Sequence, residues 1–200
     1  MPQATEGPAP ASAPADDEPH GGVGTVARFL AGAGLGLAVH ESGHVALAYL
    51  FDARPGVRKV SFRGIPFFAI THAVHLSPRR ELAVSSAGFW AHQLGSEILL
   101  SRRPSLREER APLLKGMLAF NVLLSAAYGV TALARDGPPE RDTRGMAASL
   151  GVNEAWVGGL VLAPAALDAW RYYHPHSRWA KWVSRGVKIG MVVMVAAAGE

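Results

Sequence analysis

Two histidines and a glutamate lie inside an apolar run of membrane-spanning length, and no other feature of the chain restricts its fold and chemistry so strongly. The run extends from Phe29 to Phe51. It reads FLAGAGLGLAV before His40-Glu41-Ser42-Gly43-His44 and VALAYLF after it, with Arg28 and Asp52 the nearest other charges. At about 1.5 Å per residue a helix of this length crosses a hydrocarbon core of about 30 Å. Histidines four apart on a helix share a face, one turn from each other, so both imidazoles can reach a single metal ion. Glu41 between them is placed to take a proton from a water at that ion. Ionisable groups at such a depth cost on the order of several kcal/mol unless they are paired or metal-bound. The motif therefore predicts a metal site within a membrane helix, with His40 and His44 as ligands and Glu41 as general base.

Cysteine is absent from the 200 residues, which excludes disulfides and thiolate ligands. A zinc ion, the expected cofactor, would have to be held by histidine and carboxylate. The formal net charge is +4, and 16 of the 20 basic residues are arginine. These arginines fall between apolar runs (Arg79-Arg80, Arg102-Arg103, Arg107, Arg110, Arg178, Arg185), as in membrane-flanking loops, rather than along one nucleic-acid-binding face. The expected surroundings are a lipid bilayer and no nucleic acid.

Residues 1–22 are rich in Pro, Ala and acidic side chains and lack large apolar ones, which predicts a disordered tail ahead of a membrane-embedded domain over 23–200. After the first helix, Val60 to Thr71 holds two short apolar-polar runs about Gly64-Ile65-Pro66, a β-hairpin-like pattern. A second apolar stretch, Glu81 to Leu100, carries Ser85, Ser86, His92, Gln93 and Glu97, so it is expected inside a bundle. Ala111 to Ala134 is a cleaner span with Asn121 as its strong polar group. Arg135 to Gly151 reads as a polar loop, Glu154 to Trp170 as a helix kinked at Pro164, and Trp182 to Ala198 as a last apolar run. The fold class so predicted is an all-α multi-pass membrane protein of four to five membrane helices, with the hairpin after the first.

A catalytic zinc needs a third protein ligand and one open position. Glu97, Asp136, Asp142, Asp168, His72, His75 and His92 are the candidates. Depth disfavours the loop carboxylates Asp136 and Asp142, while Asp168 lies late in an apolar helix just past the Pro164 kink, where an unpaired carboxylate would be costly.

The segment HESGHVALAYLFDARPGVRKVSF resembles the catalytic helix of the site-2 protease family, intramembrane zinc metalloproteases with a His-Glu-x-Gly-His motif. The stretch Gly64-Ile65-Pro66-Phe67 is similar to that family's membrane-associated β element. Ala87-Gly88-Phe89-Trp90-Ala91-His92 stands where the family often has Ala-Gly-Pro-x-x-Asn, with His92 in place of the asparagine. Leu167-Asp168-Ala169-Trp170-Arg171 resembles Leu-Asp-Gly-Gly-Arg, whose aspartate is the family's third zinc ligand. The resemblance implies that Asp168 completes the metal set, with Asp142 in RDTRGMA as the second choice.

It also implies a zinc metalloendopeptidase that hydrolyses peptide bonds of a membrane protein or peptide substrate, from a multi-pass location in a bacterial cell membrane. His92 and Asn121, from their polarity and depth, are the candidate substrate-binding groups. Two rivals stand beside this reading. One is a non-proteolytic membrane regulator or binding protein that retains the fold. The other is a soluble zinc enzyme with Glu97 as third ligand. Nothing in the sequence sets an oligomeric state.

Overall fold

A computed structural model describes residues 22–197. The predicted tail over 1–22 lies, apart from Gly22, outside the described residues. Those residues form six helices and one two-stranded antiparallel hairpin: α1 (Val23–Leu50), β1 (Pro55–Phe62), β2 (Ile65–His72), α2 (Pro78–Arg102), α3 (Pro112–Ala134), α4 (Asp142–Leu150), α5 (Glu154–Tyr173) and α6 (Arg178–Ala197).

The mostly helical architecture with a hairpin after the first helix follows the sequence expectation. Among the described residues, α1 and α3 are the two helices long and apolar enough to cross a membrane. The other predicted spans, α2, α5 and α6, do not meet that measure.

Close backbone approach builds the bundle. α3 lies between α1 and α5 and packs extensively on both. A Cβ at Gly32 would run into the Leu113 carbonyl, and one at Gly116 into the Phe29 carbonyl, so the α1–α3 contact needs glycine on both sides. α2 closes the other side of α1, and an apolar cluster of Leu82, Phe89, Met146, Ala147, Val157 and Val161 ties α2 to α4 and α5.

The hairpin turns at Arg63-Gly64 rather than over Gly64-Ile65-Pro66. Both turn residues have positive φ (49° and 82°), and Phe62 pairs directly with Ile65. Such a two-residue turn matches the twist of the flanking strands, so Pro66 is free to join β2 opposite Ser61.

One further expectation is corrected here. The stretch read as a polar loop holds α4, which carries Asp142 in its first turn and ends at Gly151 in the left-handed conformation. An acidic residue at the start and a glycine just past the end are the end-signals of a helix, even one of nine residues.

α6 is turned inside out relative to a helix in water. Ala180, Ser184, Lys188 and Met191 face the bundle, while Trp179, Trp182, Val183, Ile189, Val192 and Val193 are exposed.

Candidate metal centre

α1 places His40 and His44 on successive turns of its buried face, along the line Gly32, Gly36, His40, His44, Ala48. The third group to meet them is Asp142. Its Oδ2 lies 3.2 Å from His40 Nε2 and 3.4 Å from His44 Nε2, and the two Nε2 atoms are 3.2 Å apart. A tetrahedral ion with bonds of about 2.0–2.2 Å holds its ligand atoms about 3.3–3.6 Å apart, so these atoms are already close to the spacing of three ligands. They form the group among the described residues that could hold a metal ion.

The donor chemistry agrees with that spacing. His44 Nδ1–H donates to the Val84 carbonyl at 2.7 Å; a carbonyl can only accept, so neutral His44 presents the lone pair of Nε2 to the cluster. Two acceptors, His44 Nε2 and Asp142 Oδ2, then face His40 Nε2, which carries at most one hydrogen. A cation satisfies all three at once. The Asp142 side chain is 18 % exposed, and burial alone would raise its pKa. The positive charge that the two imidazoles carry when protonated outweighs that and holds the carboxyl below the usual carboxylate range.

Packing fixes each member. Gly43, between the histidines, lies against the Ala87 backbone, where a Cβ would come within 2.7 Å of the carbonyl oxygen. A Cβ at Gly88 would lie 2.5 Å from His40 Nδ1 and 2.6 Å from Nε2, so Gly88 of α2 is the floor on which the His40 ring rests. Asp142 is held through its neighbours. Arg141 makes a bidentate pair with Glu154 of α5 and donates to the Gly137 and Pro138 carbonyls, and Thr143 Oγ1 donates to the same Glu154 at 2.8 Å. The start of α4 is thus clamped to the start of α5.

Asp168, the third ligand implied by the resemblance, is elsewhere. It accepts from Lys188 Nζ at 2.8 and 3.1 Å and from Ser184 Oγ at 3.2 Å, with the Arg171 guanidinium 3.7 Å away. Its charge is neutralised between α5 and α6, so no cation is needed there. Glu97 joins the same cluster through Arg171, Arg185 and Lys188. Asp136 pairs with Arg63, and His72 with Glu81.

The depth argument fails for Asp142 because the histidines are not at mid-helix. His44 is six residues, about 9 Å, from the Leu50 end of α1, within reach of a folded-back connection.

His92 and Asn121 are also placed away from the opening. His92 is fully buried, its ring centroid 4.6 Å from that of His40 and its Nε2 donating to the Gly36 carbonyl at 3.4 Å. Asn121 Nδ2 donates to the His92 carbonyl and to Ser96 Oγ. Both stand behind His40 and line neither cavity at the site.

Two cavities meet at His44 and Asp142. One, of about 530 Å³, is bounded by Glu41, the β2 residues Phe67 to Ile70, and Leu124, Ala127 and Tyr128 of α3. The other, of about 410 Å³, is polar, with Arg58, His72, Glu81 and Glu140 among its walls. Glu41 therefore opens onto a space that a substrate chain can enter, one residue from the first ligand and three from the second.

The sequence reading passes over Tyr128 and Arg141. Tyr128 falls two turns beyond Asn121 along the polar side of α3, a periodic signal that could have found it. The Arg141–Glu154 pair, between the residue that caps α4 and the first residue of α5, leaves no such mark. Comparisons with protein-family models, curated proteins and solved structures returned no match.

Proposed function

We propose that this chain is an intramembrane zinc metallopeptidase acting on membrane-associated proteins or peptides, with His40, His44 and Asp142 as the metal ligands and Glu41 as the general base. The observation that carries the reading is the triangle of ligand atoms at 3.2, 3.2 and 3.4 Å beside a cavity onto which Glu41 opens. A purely structural metal site has no use for a base at its open side. When bound, zinc would supply a Lewis acid that polarises a carbonyl and lowers the pKa of water toward about 7. The Glu41 carboxylate then takes the proton of the attacking water and delivers it to the leaving amine. β2 walls the same cavity, and its edge away from β1 can add an extended peptide by main-chain hydrogen bonds, leaving Phe67 and Phe68 to meet apolar side chains.

A bilayer setting is supported by α1 and α3 and by the outward apolar face of α6. On this reading α2, α5 and α6 complete a multi-pass bundle, with Glu97, Asp168, Arg171, Arg185 and Lys188 paired among them.

The test is Glu41→Gln in native membranes. Cleavage of a membrane-embedded substrate is expected to disappear while zinc content stays at the wild-type level; undiminished cleavage would sink the mechanism. Comparative membrane proteomics of the two strains identifies the substrate.

A further inference from the structure

Of the side chains that line the larger cavity, four can donate a hydrogen bond: His44, Tyr128, Thr131 and Arg141. Three are committed. His44 donates to Val84, Thr131 donates to the Tyr128 carbonyl at 3.0 Å, and Arg141 is bound to Glu154 and to the Gly137 and Pro138 carbonyls. Tyr128 is different: it lines the cavity beside Asp142 and carries no such commitment. Its ring is fixed edge-on against Phe89, with centroids 5.2 Å apart, and lies 6.2 Å from the His40 ring. The same cavity is lined by Glu41 of α1 and by β2.

We propose that the Tyr128 hydroxyl is the donor that meets the oxyanion formed when a peptide carbonyl is attacked at this site, an inference that rests on the peptidase reading. Attack forms a bond from the water oxygen to the carbonyl carbon, and the C=O π pair moves onto the carbonyl oxygen. The water proton passes to Glu41. As the C–N bond breaks, the pair returns to re-form C=O and the proton leaves with the amine nitrogen. Tyr128 keeps its own proton throughout and donates a hydrogen bond that strengthens as negative charge builds on that oxygen. Because the ring is held before substrate arrives, little reorganisation accompanies the step. His92 and Asn121 are excluded from this role by position, since neither faces the cavity.

Tyr128→Phe removes only the hydroxyl and keeps the ring against Phe89. Turnover of the zinc-loaded full chain is expected to fall about 10²–10³-fold, with KM and the zinc dissociation constant unchanged. Binding of a phosphinic peptide, a stable tetrahedral mimic of the attacked carbonyl, is expected to weaken by a similar factor, while an unreactive peptide of the same sequence binds as before. The binding pair is measured on Glu41→Gln as well, with and without the Tyr128 change. Equal phosphinate affinity in the two overturns the proposal. So does a rise in zinc dissociation constant that accounts for all the lost activity and is reversed by added zinc, because the hydroxyl then only positions Asp142. Failure of the peptidase reading itself shows differently, as a wild type that cleaves no faster than Glu41→Gln.

Discussion

Two buried polar clusters lie in this bundle, and they are built on opposite principles. Around Glu97 and Asp168, two carboxylates meet Arg171, Arg185 and Lys188, and each of the four carboxylate oxygens accepts from at least one donor. Around His40, His44 and Asp142, three lone-pair-bearing atoms converge with too few hydrogens to share, and a cavity opens at their side. The first cluster is complete and ties three helices together. The second needs a shared cation, a proton or a metal ion, to hold its acceptors together. Burial is similar in both, so depth does not choose a metal ligand; the surrounding donors do.

The contrast breaks most sharply at Asp168. Asp168→Asn leaves Lys188 and Arg171 under-compensated in a closed interior and is expected to lower stability by about 3–5 kcal/mol, read as a loss of thermal midpoint in the purified protein. Zinc content is expected to stay at the wild-type level in whatever fraction folds. A zinc content that falls with Asp168 and not with Asp142 would exchange the roles of the two clusters.

Asp142→Ala is the reciprocal test. Altering an outer partner of a ligand costs about 10–100-fold in metal affinity, and loss of a ligand is expected to exceed that, as measured by competition with a chelating dye. Stability without metal is expected to fall as well, because the imidazoles lose the carboxylate that pairs with them.

Smaller again is Gly88→Ala. The new methyl must displace the His40 ring, an overpacking of about 1–3 kcal/mol. Its signature is weaker zinc binding and turnover without loss of the Glu97 cluster, visible as unchanged protection of α6 in hydrogen exchange. Equal zinc affinity in Gly88→Ala would show that the floor under His40 is not rigid.

Sequence periodicity makes α1, its histidine pair and the neighbouring base legible, because helical spacing is a local property that three residues suffice to display. The hairpin is legible for the same reason, although its turn shifts to Arg63-Gly64, since a pair of positive φ values leaves a weaker imprint than a proline. Asp142 is another matter. Its approach to the histidines depends on α4 folding back, on Arg141 and Thr143 gripping Glu154, and on Gly145 admitting Ser85, four relations among residues distant in sequence. Asp168 misleads because a Leu-Asp motif late in an apolar helix looks the same whether the carboxylate faces a metal or a lysine on the next helix. His92 and Asn121 are read correctly as deep and polar, but depth says nothing about which side of His40 they occupy.

The inverted α6 bears on how such a chain is made. A helix with Arg178, Lys181, Arg185 and Lys188 is costly to place alone in hydrocarbon, since each cation near the centre carries about 2.5–3.5 kcal/mol. Synthesis runs from the N-terminus, so α2 and α5, with Glu97 and Asp168, leave the ribosome before α6. On the membrane reading proposed above, the order of synthesis becomes an order of assembly: the acids precede the basic helix that pairs with them.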